Sequence, residues 1–292
     1  MKTKFKNTRY IIQQWWVKII LFILVLYFLD EIVFTNYKNT FLNFTFFSFI
    51  SVLVSTFFIT FIINKKDLLF FGIRWDKFSF KYICFGAVLP LFYFLVLFFI
   101  YLTIDELKIN NFYFESFFKF SLSLFFIATY EELIYRGIVF QLLIERFNPY
   151  LISIILSLIF ALVHANNPNI GTMELINIFL AGLMLSISYI HTRSLWFAIS
   201  FHFIWNLSQH LFLGSPISGM SFGYEIIEYD VFYDNQWYNI LIGTEFGIEG
   251  SIMTSIFLIF CIYYIFKKIT PSPYQSAIYF KNKYELSKNI KN

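Results

Sequence analysis

The sequence predicts an all-α protein, a polytopic membrane bundle of about eight transmembrane helices. Three observations point there. The 292-residue chain is 59% hydrophobic and only 14% charged, against roughly 25% charged in soluble domains. Its mean hydropathy is +0.67. Apolar runs long enough to cross ~30 Å of hydrocarbon recur along its whole length. A soluble domain with a single anchor is excluded on these grounds. The implied partner is the lipid bilayer and not a nucleic acid, since the net charge of +4 is spread over loops and tails. The 43 phenylalanines suit lipid-facing positions and the composition of an AT-rich, bacterial genome.

The spans are expected near residues 11–29, 41–63, 82–103, 117–145, 150–165, 172–190, 194–213 and 249–266. The first follows Lys2, Lys4, Lys6 and Arg9. Without a small-residue cleavage site after it, this start reads as an uncleaved helix. The fourth run is too long for one straight crossing, so part of it tilts or lies along the interface. Pro149 and Pro168 bracket the fifth, as turns at helix ends require. Residues 1–116 thus form an N-terminal set of helices, 117–213 a core, 214–248 an exterior loop or cap, and 249–292 the last helix with a basic tail. Cys84 and Cys261 both fall within spans and imply neither disulfide nor metal cluster.

Lysine and arginine set the orientation. They gather in the N-terminal arm, in the loop holding Lys65, Lys66, Arg74 and Lys77, and in the tail with Lys267, Lys268, Lys281, Lys283, Lys288 and Lys291. The connection 214–248 instead carries Glu225, Glu228, Asp230, Asp234 and Glu245, with no Lys or Arg. A multi-pass protein of the cell membrane with both termini cytoplasmic is therefore expected.

Ionisable residues inside spans cost about 2.5–3.5 kcal/mol each on insertion scales, and they mark function. The fourth span holds Glu131, Glu132 and Arg136. Glu132 and Arg136 are four apart and share a helical face, so their ion pair leaves Glu131 free to move protons. The fifth span ends at His164. The seventh places His202 and Asn206 on one face. A glutamate and a histidine can hold and deprotonate water, and a His–Asn pair can donate hydrogen bonds to an oxyanion. The same carboxylates and imidazoles could instead ligate Zn²⁺ through Glu131, His164 and His202. His191 and His210 read as structural or solvated. No His-Glu-x-x-His helix and no serine nucleophile motif is present.

Glu131-Glu132-x-x-x-Arg136-Gly137, Phe160-x-x-x-His164 and His202-x-x-x-Asn206 resemble, in order and spacing, the three motifs of the CAAX protease and bacteriocin-processing (CPBP, or Abi) family of intramembrane endopeptidases. The run Thr192-Arg193-Ser194-Leu195-Trp196 is similar to that family's Thr-Gly-Ser-Leu-Trp lead-in, with Arg193 and Tyr135 as departures. The likeness covers residues 117–210. It implies a CAAX-protease-like core whose catalytic residues are Glu131, Glu132, His164, His202 and Asn206, supported by Arg136. In that scheme Glu131 acts with His164 on the water and His202 with Asn206 forms the oxyanion site. It also implies cleavage of a membrane-associated peptide or protein, in prenyl-protein trimming, bacteriocin processing or self-immunity, with no metal cofactor required. Two other classes remain open at this point: a non-catalytic membrane scaffold or immunity protein, and a proton-coupled transporter.

Overall fold

A computed structural model describes residues 11–64, 72–73, 75, 77–103, 107–109, 113–222, 227–229 and 243–269. The N-terminal arm, most of the loop at 65–76, residues 230–242 and the tail beyond 269 lie outside the described residues, and with them most charges of the orientation argument. The chain is a helical bundle. Its helices are α1 (Trp15–Tyr27), α2 (Phe41–Phe57), α3 (Ser79–Tyr101), α4 (Phe114–Glu132), α5 (Phe140–Ile144), α6 (Pro149–Val163), α7 (Thr172–Thr192), α8 (Leu195–Leu213) and α9 (Ile252–Lys268). A short antiparallel ribbon departs from the all-helical expectation. It pairs β1 (Leu107–Ile109) with β2 (Ile227–Tyr229), with Lys108 opposite Glu228.

Three helical segments among the described residues are long and apolar enough to cross a bilayer: Phe41–Ile63, Ser79–Tyr101 and Thr172–Thr192. Pro149–Val163 and Ile252–Lys267 are shorter apolar helices. The last begins at Ile252, and Glu249 sits ahead of it in a 3₁₀ turn, Ile248–Gly250. The expected start of that span at residue 249 is therefore corrected. Ser251 sets the new boundary, since its hydroxyl accepts from the Thr254 amide at 3.0 Å and caps the helix.

The helices are sorted in the way a membrane demands, with small polar groups inside and large apolar ones outside. In α2, Thr45, Ser48, Ser51 and Ser55 are buried while Phe44, Phe46 and Phe57 are exposed. Ser51 and Ser55 return their hydroxyls to the carbonyls of Phe47 and Ser51, so their burial leaves no unpaired donor. Helix α6 repeats the pattern: Ser153 and Ser157 face inward, and Leu151, Ile154, Ile155, Leu158 and Leu162 face out. Gly182 of α7 lies so close to α6 that a Cβ placed on it would stand 3.2 Å from the Cα of Ser157.

The fourth apolar run is continuous from α4 into α5 through a π-helical segment, Leu133–Val139. At 1.5 Å per residue that path is roughly 45 Å long, beyond the thickness of a hydrocarbon core. The π segment begins directly after Glu132 and contains Arg136. Such insertions recur at functional sites because they re-aim side chains without ending the helix.

Candidate active site

Helix α7 ends and α8 begins at a tight corner. Arg193 closes α7 with φ of 53°, a left-handed conformation that favours glycine. Its side chain compensates, since the guanidinium donates to Gln141 Oε1 at 3.3 Å and lies over the Tyr189 ring. Ser194 then caps α8 by accepting from the Trp196 amide. This corner fixes the rotation of α8 and so the direction of His202 and Asn206.

Around Glu132 the structure gathers four groups from three helices. Arg136 Nη1 donates to Glu132 Oε1 at 2.9 Å, and Nη2 donates to the Gly182 carbonyl at 2.9 Å. Arg136 Nε reaches Ser186 Oγ at 3.4 Å. His202 Nδ1 donates to the same Glu132 oxygen at 3.1 Å. Its Nε2 stands 3.9 Å from Glu131 Oε2. Glu132 and Arg136 are buried, at 0% and 1% exposure, so the pair is held out of solvent and its hydrogen bonds are charge-assisted. Glu131 Oε2 and Glu132 Oε2 are buried without a hydrogen-bond partner among the described residues.

Phe160 organises the second half. Its carbonyl accepts from His164 Nδ1 at 2.7 Å. The remaining nitrogen, Nε2, is then the lone-pair side of the neutral ring. The Phe160 ring packs against His164 at 4.8 Å and edge-on to His202 at 6.4 Å, with the Arg136 guanidinium 5.0 Å from its centroid. One aromatic ring thus touches both histidines and the arginine, which keeps three polar side chains in a dry, fixed arrangement.

His164, His202 and Asn206 line a single cavity of about 60 Å³, with Phe201, Trp205 and Leu258 among its apolar walls. That is room for several waters, since one needs roughly 10–15 Å³. Glu131 and Glu132 stand behind His202 and do not line it. Asn206 is 7% exposed and opens onto the cavity. The spacing argument did not anticipate that His202 belongs to the carboxylate cluster as well as to the cavity wall.

Residues 113–208 match the family described as type II CAAX prenyl endopeptidase Rce1-like. The chain carries an Rce1-like domain. The match spans about a third of the sequence and contains Glu131, Glu132, Arg136, His164, His202 and Asn206. No curated protein matched the chain. The Rce1-like domain therefore runs from α4 through most of α8, and the first three helices and α9 pack around it. At family level the domain is that of a membrane peptidase.

The remaining histidines stand apart from this centre. His191 is buried and its Nδ1 donates to the Ile269 carbonyl at 3.1 Å, tying the end of α7 to the end of α9. His210 is buried against the Phe120 ring at 4.4 Å. No three His, Cys, Asp or Glu side chains converge in a way that would hold a metal ion among the described residues. In the alternative ligand set Glu131, His164 and His202, both histidines engage Nδ1 with an oxygen acceptor, which leaves Nε2 as the nitrogen that could face a water or an ion.

Sequence reasoning missed three contributors. Gly182 and Ser186 position Arg136, and the only hint was their spacing of four on one face of α7. Glu249 lines the same cavity, whereas the apolar run that follows it marks it in the sequence as the beginning of a span.

Proposed function

We propose that this protein is an intramembrane endopeptidase that hydrolyses a peptide bond of a membrane-associated protein or peptide with water activated by Glu131. The observation that carries the reading is the meeting of Glu131 and His202, from helices α4 and α8, at the edge of a cavity that also presents His164 and Asn206. A water in that cavity would lie against the lone pair of His164 Nε2 and pass its proton, through a second water beside the His202 ring, to Glu131. The attacked carbonyl becomes an oxyanion, which Asn206 Nδ2 meets as a donor, joined by His202 Nε2 when that ring carries both protons. The proton on Glu131 then passes to the leaving amine. Glu132 orients His202 through Nδ1, and Arg136 holds Glu132 in place. Each group needed for amide hydrolysis is a residue of this chain.

The same reading extends to topology and substrate. We take the chain to cross the cell membrane about eight times with both termini cytoplasmic, and its substrates to be membrane peptides of the kind processed in bacteriocin maturation or self-immunity. The decisive experiment compares wild-type protein and Glu131→Gln in liposomes with a quenched reporter peptide. Loss of the general base should lower the rate by about 10²–10⁴-fold while the thermal unfolding temperature is kept. Cleavage at the wild-type rate in Glu131→Gln would remove Glu131 from this role. A zinc chelator added to the wild-type reaction should leave the rate unchanged, and loss restored by Zn²⁺ would replace this scheme with a metal-based one.

A further inference from the structure

The cavity has a second polar end. Glu249, on the 3₁₀ turn before α9, lines it together with Ser218. Its side chain is more than nine-tenths buried. Oε2 accepts from Gln209 Nε2 at 2.7 Å, and the carboxylate also receives the Ser218 amide and its own amide. These partners are all neutral. No ion pair to Glu249 occurs among the described residues, and its electrostatic neighbour is another acid, Glu174. Burial raises its pKa to about 7, and the three hydrogen bonds only partly offset this.

The turn is held firmly. Asn177 Nδ2 donates to the carbonyls of Glu249 at 2.6 Å and Ser251 at 2.8 Å. The Gly219 amide donates to Phe246 O at 2.8 Å, and Asn167 Nδ2 to Ser218 O at 3.1 Å. A carboxylate kept in a dry wall without a cationic partner costs more than an amide of the same shape would. Asn206 lines the same cavity and is buried, and its side chain makes no hydrogen bond among the described residues. Its amide and the Glu249 carboxylate therefore face one space.

The sequence that precedes Glu249 carries charge of the same sign. Residues 214–248 contain Glu225, Glu228, Asp230, Asp234 and Glu245 and no lysine or arginine.

We infer that Glu249 forms a specificity subsite that receives a basic side chain, a lysine or arginine, of the peptide substrate. This rests on the peptidase reading above and names the class of substrate it acts on. A substrate cation entering the cavity would supply the charge partner that the fold withholds from Glu249. The scissile bond would then sit a fixed distance away, at Asn206 and the histidines. Peptides with a neutral residue at that register leave the carboxylate desolvated and unpaired, which penalises them.

The test uses the full-length protein in nanodiscs and a set of reporter peptides in which one lysine is walked along the sequence, each with a norleucine analogue. At one register, wild-type kcat/KM should favour lysine over norleucine by roughly tenfold or more, as a hydrogen bond to a charged group implies. Glu249→Gln should bring that ratio to one, and Glu249→Asp should restore part of it. No lysine preference at any register in the wild type would overturn the inference without recourse to a variant. So would a preference that survives in Glu249→Gln. If no peptide is cleaved, the peptidase reading fails separately. Fluorescence anisotropy of the same peptides on Glu131→Gln protein then decides the subsite: tighter binding of the lysine peptide supports it, and equal binding refutes it.

Discussion

Replacing Arg136 by methionine should destabilise the protein severely, and replacing Glu132 by glutamine at the same time should recover most of the loss. Arg136 is 1% exposed and Glu132 0%, so the single substitution strands a carboxylate in an interior with no water to solvate it. Breaking a buried pair from one side costs about 3–5 kcal/mol. The Gly182 carbonyl adds little to this, because Ser186 Oγ donates to it as well, at 2.9 Å. The guanidinium's contact with the Phe160 ring adds about 0.5–2 kcal/mol. A loss of about 4 kcal/mol lowers the unfolding temperature by roughly 10 °C, taking 2–4 °C per kcal/mol for chains of this size. In the double variant, glutamine is neutral and its amide oxygen still accepts from His202 Nδ1, so the penalty for a stranded charge disappears.

The assay is thermal unfolding in detergent followed by intrinsic fluorescence for the wild type, both single variants and the double. The double-variant cycle should give a coupling energy of about 2 kcal/mol or more. Two results would refute the reasoning: Arg136→Met melting within a degree or two of wild type, or a double variant as unstable as the sum of the singles. Either would mean that Glu132 is solvated or already neutral, and that its hold on His202 is not electrostatic.

Three further outcomes follow from other parts of the fold. Gly182→Val should push α6 and α7 apart, since even a Cβ there stands 3.2 Å from Ser157 Cα; a cost of about 1–3 kcal/mol should appear in the melting temperature, and an unchanged melt would mean that the two helices are looser than described. Glu249 binds its proton more tightly folded than unfolded, so the stability it contributes is fully present below about pH 4.5 and is lost as pH rises through about 7; the difference in melting temperature between wild type and Glu249→Gln should change with pH over that window in this direction, and a difference independent of pH would refute it. At Arg193 the left-handed backbone costs about 1–2 kcal/mol for an L-residue, so Arg193→Gly should be nearly neutral, strain relief offsetting lost contacts, whereas Arg193→Val should melt several degrees lower than the glycine variant.

The parts of this molecule that could be read from its sequence share a physical property: each is decided within a few residues. An apolar run must span the bilayer wherever it packs. A carboxylate in such a run carries its cost regardless of its neighbours, which is why Glu131 and Glu132 stood out before any fold was known. The i,i+4 relation of Glu132 and Arg136 is likewise local. What stayed hidden needs groups from distant segments. The π segment after Glu132 adds no compositional mark, because Leu133–Val139 would be equally acceptable as an α-helix. The bond from His202 to Glu132 joins residues 70 apart, and only the rotation of α8 set by the Arg193 corner brings it about. Arg193 itself illustrates the difference. It departs from glycine at a position with φ of 53°, and the arginine is held there by Gln141 and Tyr189 across the bundle.

Glu249 is hidden in the sequence for the same reason. Beside Ile248 and a following apolar run it reads as the edge of a span, and only its bond to Gln209 and the cavity it faces give it another meaning. Gln209 is seven residues beyond His202 and three beyond Asn206, so one face of α8 runs from the Glu131–Glu132 cluster, along the cavity, to the carboxylate of Glu249. A rigid helix with anionic groups anchored at both ends holds the distance between them constant. For a peptidase built this way, the register between a recognised basic residue and the cleaved bond is a property of α8, and shifting that helix at its Arg193 corner should move the two ends together.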